Sequence, residues 1–398
     1  MKKLLYIPSW YPSVSEPYIG QSNREQIQMF SNQFDLKILV GSRKKDISRL
    51  KKVINTIKYI LFKKVSIKPK EGFFESPPKV NGFEYELGLN ILRKMNHEIL
   101  KKAYIDYFKK FIYSEWKPNL IHAQNTWIAG IIAYKIKECF NIPYVITDRH
   151  HLNTKLKSFE QNDLIFSLLN ARSNIFLSNW QYKTYLLLNE NIHGHIIGNS
   201  IDEHIFSLPG KDPTLEKSAF IITHVSNAQW TKDSDTLFAV INDFINEMKS
   251  YDNLEVRIIG FPTHIIRLFH EQFGRTIKDG IVKFLPPMSK ENIISNLHET
   301  DVFLFTSIFE SFGIAPLEAM FCGVPVVSTD NGGINEYLVE GVNGIRCPLK
   351  DSDSIVKALF DIYYKRIVFD PVKVRESVVQ KFSQDLFQFR MMQVYNSI

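Results

Sequence analysis

Short apolar, β-branched runs alternate with stretches of 3.6-residue periodicity along nearly the whole 398-residue chain. A run of Val, Ile, Leu and Phe without a polar alternate face has to be covered on both sides, as happens when strands pair in parallel beneath helices. The runs fall at 3–7, 36–40, 120–123, 144–147, 174–178 and 195–197 in the first half of the chain. In the second half they fall at 220–225, 254–259, 282–285, 302–306, 324–328 and 344–347. Helical periodicity fills 22–30, 236–248, 265–273, 291–297, 333–339 and 354–364. The pattern predicts two doubly wound α/β domains in series, each long enough to bury its own core. The first is expected over 1–200 and the second over 201–381, divided by the Gly- and Pro-bearing stretch "NSIDEHIFSLPGKDPTLEK" at 199–217. The closing segment 382–398 carries Phe387, Met391, Val394 and Ile398 on one helical face, so it needs a surface to pack on.

Composition narrows the class. Hydrophobic residues at 44% and charged residues at 23% are ordinary for a folded protein, which excludes global disorder. The three cysteines, Cys139, Cys322 and Cys347, form no CxxC or metal-ligand spacing, as suits a reducing compartment. The start, "MKKLLYIPSWYP", puts lysines before an apolar run, but that run stops at Pro8 and is too short for a signal peptide. No stretch approaches the ~18 apolar residues of a membrane span, and a cytoplasmic protein is expected.

The net charge of +7 is unevenly spread: residues 41–110 hold 18 Lys+Arg against 7 Asp+Glu. That asymmetry points to a local anionic partner and not to nucleic acid binding over the whole surface. Within it, "RLKKVINTIKYILFKKVS" (49–66) sets Leu50, Val53, Ile54, Ile57, Ile60 and Leu61 on one helical face, with Lys51, Lys52, Lys58, Lys63 and Lys64 around it. Two readings stand. Either the helix lies on an anionic membrane surface, or it packs on its own domain and solvates its lysines.

The stretch "FTSIFESFGIAPLEAMFCGVPVVSTDNGG" (305–333) places Glu310 after a buried strand and Glu318 within the next helix. Ligands of parallel sheets bind at carboxyl ends of strands, beside helix N-termini. Gly313 permits close backbone approach, Pro316 suits a first helical turn, and free N–H groups there suit a phosphate. Glu310 and Glu318 can then each accept hydroxyls of a sugar. Against this, Glu310 can simply cap the helix while Glu318 stays solvated. The D-S-D at 233–235 precedes a helix directly, so capping explains it better than metal binding. Cys322 reads as core, and Glu336 as solvated or structural.

These residues carry a resemblance. "DVFLFTSIFESFGIAPLEAMFCGVPVVSTDNGGINEYLVEGVNGIRCP" resembles the signature of family 4 retaining glycosyltransferases of the capsule and lipopolysaccharide type, with Glu310 and Glu318 matching their E-x7-E motif. "IGNSIDEHIF" is similar to I-P-N-G-V-D-x-x-x-F at the domain junction, and "SWYPSVSEPYIGQSNREQIQMF" to an N-terminal S-W-Y-P…G-x-F-x-x-E-Q pattern. "PNLIHAQNTWIAGIIAYKIK" resembles P-D-I-I-H-A-H, "PYVITDRHH" resembles P-V-V-V-T-E-H-H, and "FSQDLFQFRMMQVY" a segment that returns to the first domain.

The resemblance implies a GT-B fold, two Rossmann-like domains facing across a cleft. It implies transfer of a sugar from a UDP- or GDP-sugar to a hydroxyl of a glycan or lipid-linked acceptor, without a metal or other cofactor. It assigns Glu310, His122 and Lys232 to catalysis. The donor falls to Gly20, Asn227, Gln229 and Lys232, together with Glu310, Ser311, Phe312, Gly313, Ile314 and Glu318. Gln124 and His150 (or His151) face the acceptor. One departure stands out: where relatives place a diphosphate-gripping Arg, this chain has Asn227 and Gln229, which leaves Arg257 and Arg149 as candidates to replace it. A catalytically silent binding or assembly subunit is therefore the second reading, and a sugar-nucleotide epimerase on the same fold a weaker third.

Overall fold

In a computed structural model, which describes residues 1–17, 19–73, 78–150, 152, 155–210, 219–248, 253–274 and 280–398, the apolar runs form two sheets. The first contains β1 (Lys3–Pro8), β2 (Asp35–Arg43), β3 (Ile67–Pro69), β4 (Lys79–Tyr85), β5 (Leu120–Gln124), β6 (Tyr144–Asp148), β7 (Ser173–Phe176) and β8 (His195–Ile196). Their order is β3-β4-β2-β1-β5-β6-β7-β8, parallel throughout except β3 against β4. The second sheet contains β9 (Phe220–Val225), β10 (Leu254–Ile259), β11 (Val282–Leu285), β12 (Val302–Phe305), β13 (Val326–Thr329) and β14 (Gly344–Cys347). It runs β11-β10-β9-β12-β13-β14 and is wholly parallel. Chain contacts define one unit of Met1–Leu177, Tyr182–Ile196 and Met391–Ile398, and another of Ser178–Gln181 and Ile197–Arg390. Of the junction expected at 199–217, residues 211–217 lie outside the described residues, as does His151.

Burial explains why these runs are strands. In the first unit Leu5, Ile7, Ile121, Ala123 and Ile146 form one core with Tyr104, Phe108, Ile132 and Ile136 of the helices Arg93–Phe108 and Ile131–Phe140. The opposite face of β1 and β5 offers Tyr6 and His122. There Tyr395 of the helix Gln384–Asn396 packs edge-on against Phe30 and Phe34, with ring centroids 5.3 and 5.4 Å apart. In the second unit the helix Ser234–Glu247 buries Leu237, Phe238, Val240, Ile241, Phe244 and Ile245 in one core with Ile222, Val256, Ile258 and Leu304. Each such side chain contributes about 2 kcal/mol when fully buried.

Each sheet has one place where strand order reverses. The chain goes from β1 to β2 on one side and returns to β5 on the other; likewise β9 has β10 on one side and β12 on the other. Loops leaving such a strand pair diverge to opposite faces, and a crevice opens at the carboxyl ends. The named residues after β1, β5, β9 and β12 gather at these two points.

The structure adds to the sequence reading in one place, corrects it in another and bears on an alternative left open in a third. Strands β3 and β4 were not foreseen. The helix expected over 333–339 is a single 3-10 turn, Gly333–Glu336. The helix Arg49–Phe62 forms, but the residues it buries are Asn55 and Thr56. Leu50, Ile57, Ile60 and Leu61 are 71, 48, 56 and 65% exposed, so its apolar face does not pack on the rest of its unit. No helix among the described residues is long and apolar enough to cross a membrane.

Candidate functional site

In the second unit the loops after β9 and β12 are laced together by their own backbones. Ile308 N–H donates to Thr231 O at 2.9 Å, and Thr306 Oγ1 donates to Lys232 O at 3.1 Å. On the other side Thr329 Oγ1 donates to Ser307 O at 2.5 Å, and Glu310 N–H to Asn331 O at 3.0 Å. This lacing brings Lys232 and Glu310, 78 residues apart, into a half-buried ion pair through Glu310 Oε1. Ser307 Oγ donates to the same oxygen at 3.1 Å. Glu310 Oε2 takes no hydrogen bond among the described residues, so its lone pairs are open.

Glu310 does not cap the next helix, Ile314–Phe321, whose N-terminus has no side-chain cap. Its first N–H groups are thus left to a ligand or water. Gly313 precedes it at φ 87°, with its carbonyl held by Tyr337 Oη at 2.5 Å. Ser311, Phe312 and Gly313 are buried and Ile314 half-buried. Glu318 is half-buried in that helix, and its charge adds to the burial that pushes the Cys322 thiol up to about 12. Asn227 and Gln229 stand exposed on the loop after β9, with Asn227 Oδ1 accepting from Gln229 N–H at 3.3 Å. Asp233 accepts from Thr236 Oγ1 at 2.7 Å and caps its own helix. Glu336 accepts from Asn179 N–H at 2.5 Å, a structural bond.

Arg257 is not available to replace the missing cation. Its guanidinium is held by Glu255 at 2.5 Å, Glu299 at 2.6 Å and Asn296 at 3.2 Å.

In the first unit Gly20 has φ 74° and opens the helix Gln21–Gln28, its Cα packed so closely on the Trp10 carbonyl that a Cβ would sit 2.6 Å from that oxygen. His122 is buried, with Nδ1 2.7 Å from Tyr395 Oη and Nε2 2.8 Å from Thr147 Oγ1. Both ring nitrogens are thereby engaged internally, so this geometry makes His122 a post that positions Tyr395 and Thr147. Gln124 is buried with neither amide atom bonded among the described residues, and His150 is exposed, its ring 4.4 Å from that of Trp10.

Sequence reasoning missed His224, at the end of β9. Its Nδ1–H donates to Leu304 O at 2.9 Å, so Nε2 accepts from Ser226 Oγ, also at 2.9 Å. Burial pushes His224 down to about 4, the Leu304 bond opposing it and the Lys232 charge adding to it. Burial, with the Arg149 charge, pushes His122 down to about 3. An unfolded histidine takes its proton near pH 6.5. Below that pH the unfolded chain binds more protons than the folded one, so stability falls as pH falls toward 4. Between pH 7.5 and 5, urea unfolding is expected to lose about 2 kcal/mol per buried histidine, and His122→Gln to flatten that slope. A wild-type stability that does not decline over this range contradicts neutral burial.

Two doubly wound α/β units, each with the named loops at the switch point of its sheet, define the GT-B fold. Residues 211–370 match the family of glycosyl transferases group 1. Among similar proteins, the N-acetyl-alpha-D-glucosaminyl L-malate synthase of Bacillus anthracis is 25% identical over 57% of this chain and 57% of its own length. The D-inositol 3-phosphate glycosyltransferase of Geodermatophilus obscurus is 28% identical over 38% of this chain and 35% of its own. The chain thus spans about half or less of the length of these relatives. Anabaena HepE in complex with UDP-glucose superimposes with a TM-score of 0.71 over 100% of both chains at 16% identity, a likeness of fold.

Proposed function

We propose that the protein transfers a hexose-type sugar from a UDP- or GDP-sugar to a hydroxyl of a glycan or lipid-linked acceptor, with retention of anomeric configuration, in cell-surface polysaccharide synthesis. The observation that carries this reading is Glu310, held by Lys232 and Ser307 through one oxygen while the other stays open beside an uncapped helix start. Support comes from the glycosyl transferases group 1 match over the same residues, from a relative named as a D-inositol 3-phosphate glycosyltransferase and from a neighbour of like fold in complex with UDP-glucose. Retention follows from the resemblance at Glu310 and Glu318.

In this mechanism positive charge develops on the sugar ring while the diphosphate leaves. Lys232 and the first amides of Ile314–Phe321 neutralise the departing oxygens, and Glu310 Oε2 holds the sugar by its hydroxyls. Gly20 gives the donor a close backbone approach, and Gln124 and His150 serve the acceptor. No divalent ion is required in this reading, since the Asp233 carboxylate is committed to Thr236. Incubation with UDP- and GDP-sugars and a membrane lipid extract tests it: a product of retained configuration is expected. The silent-subunit reading is favoured by the neutral Asn227 and Gln229, and binding of neither UDP nor GDP in calorimetry would decide for it.

The acceptor reading extends to a cytoplasmic membrane face. The helix Arg49–Phe62 turns Leu50, Ile54, Ile57, Ile60 and Leu61 outward among the exposed Lys58, Lys63 and Lys64, which suits an anionic bilayer. Ile54→Asp, Ile57→Asp and Leu61→Asp together are expected to cut flotation with anionic vesicles about tenfold or more. Equal flotation of this variant and wild type contradicts the membrane face.

A further inference from the structure

At the carboxyl ends of β5 and β6 the first unit buries polar atoms that meet no partner among the described residues. They are Nε and Nη2 of Arg149, both amide atoms of Gln124, and Nδ2 of Asn125. Gln124 is 1% exposed and Asn125 2%, so water at the surface does not serve them. Arg149 as a residue is half-buried, but its Nε and Nη2 do not reach the surface.

Among the described residues, the surroundings leave Nε and Nη2 of this guanidinium unpaired. The Arg149 backbone N–H, not its guanidinium, donates to Asn125 Oδ1 at 3.1 Å, which turns the Asn125 Nδ2 away from that bond. Asn125 adopts φ 81°, a strained conformation for any residue but glycine. The neighbouring carboxylate, Asp148, is engaged elsewhere by Thr126, Tyr185 Oη at 2.5 Å and His150 N–H at 2.9 Å. Among the described residues, the titratable groups facing Arg149 are Tyr6, Tyr395 and His122, none of them anionic at neutral pH. Burial lowers the Arg149 pKa to about 10, with Tyr6 and Tyr395 opposing, so the group remains a cation.

A buried charge without a counter-charge is costly, and a water molecule does not neutralise it. Nε and Nη2 form the side-on edge of the guanidinium, which matches two oxygens of one phosphate or carboxylate. The edge lies at the carboxyl ends of strands next to the β1–β5 switch point, where a ligand of this sheet is expected.

We propose that Arg149 receives an oxyanion of a bound substrate, a phosphate or a carboxylate, with the Gln124 and Asn125 amides completing its shell of donors. Only the source of the oxyanion, the donor's diphosphate or an acid group on the acceptor, rests on the transferase reading.

Thermal shift and calorimetry on the full chain test this with UDP, GDP and inorganic pyrophosphate in one arm, and glucose 6-phosphate and glucuronate in the other. Wild type is expected to bind in at least one arm. Arg149→Met should weaken that binding about a hundredfold, with Arg149→Lys intermediate. Removing an unpaired buried charge should also leave the ligand-free Tm equal or higher, which loss of a merely structural arginine would not do. Loss confined to the nucleotide arm assigns the oxyanion to the donor, and loss confined to the other arm assigns it to the acceptor. Wild type that binds no probe, or an Arg149→Met variant that binds every probe as wild type does, overturns the proposal. Nucleotide binding that survives Arg149→Met but fails in Lys232→Met leaves the transferase reading standing while this one falls if the acid-sugar arm is also unchanged.

Discussion

Glu310→Gln is expected to lower kcat/KM for sugar transfer by about 10²- to 10³-fold while leaving the fold intact. The glutamine keeps the size of the side chain and an acceptor oxygen for Ser307 Oγ, 3.1 Å away in the native protein. What it removes is the negative charge that pairs with Lys232 and that would face the sugar as its ring becomes cationic. Because the loss belongs to the transition state, it should fall mainly on kcat, with nucleotide affinity little changed or tightened by the freed Lys232. Steady-state rates and calorimetric Kd for UDP and GDP on both proteins separate the two effects. Undiminished kcat/KM removes Glu310 from the reaction.

Gly333→Ala is expected to be the most disruptive small substitution in the second unit. A Cβ there would lie 2.6 Å from Phe312 N, 2.7 Å from Phe312 Cα and 2.8 Å from Glu310 O. All three are backbone atoms of the loop that presents Glu310, so no side-chain rotation relieves the overlap. The loop has to shift, at a cost of about 2–3 kcal/mol, and the Lys232–Glu310 pair shifts with it. Gly341→Ala is the control. Its φ of 72° is strained for alanine, but nothing lies within 4 Å of the added carbon. It should cost about 1 kcal/mol and leave transfer unaffected. Thermal denaturation and activity of the two variants measure this, and a Gly333→Ala protein as stable and active as wild type contradicts the packing described.

Much of the fold was legible because parallel strands buried on both faces cannot hide polar alternates. β9, β10, β11 and β14 begin and end where the periodicity places them. β4 was not legible, since Asn81, Gly82 and Glu84 interrupt its apolar run. Gly82 is required there because a Cβ would meet the Phe73 ring at 2.4 Å, a contact no local pattern reveals. The 3-10 turn at Gly333–Glu336 replaced a helix for a related reason: Gly333 is pressed against the Phe312 backbone, and Tyr337 turns inward to bond Gly313.

At the site, the residue types were legible but their partners were not. Lys232 and Glu310 each stood out in sequence, whereas their ion pair depends on β9 lying beside β12. His122 looked available at a strand end, and only the return of Tyr395 from the chain terminus shows both its nitrogens engaged. The helix at 49–62 shows that a hydrophobic stripe does not announce which way it faces. Its buried residues are Asn55 and Thr56, fixed by the bonds of Asn55 to Glu86 and of Thr56 Oγ1 to the Leu89 N–H at 3.0 Å.

The most direct test of a nucleotide-sugar site at the β9–β12 switch point is amide hydrogen exchange with and without UDP and GDP. In the second unit, the nucleotide that binds is expected to slow exchange in 227–233 and 307–316 and to leave the remaining loops unchanged. Binding with protection elsewhere in that unit, or no binding of either nucleotide, would contradict the site.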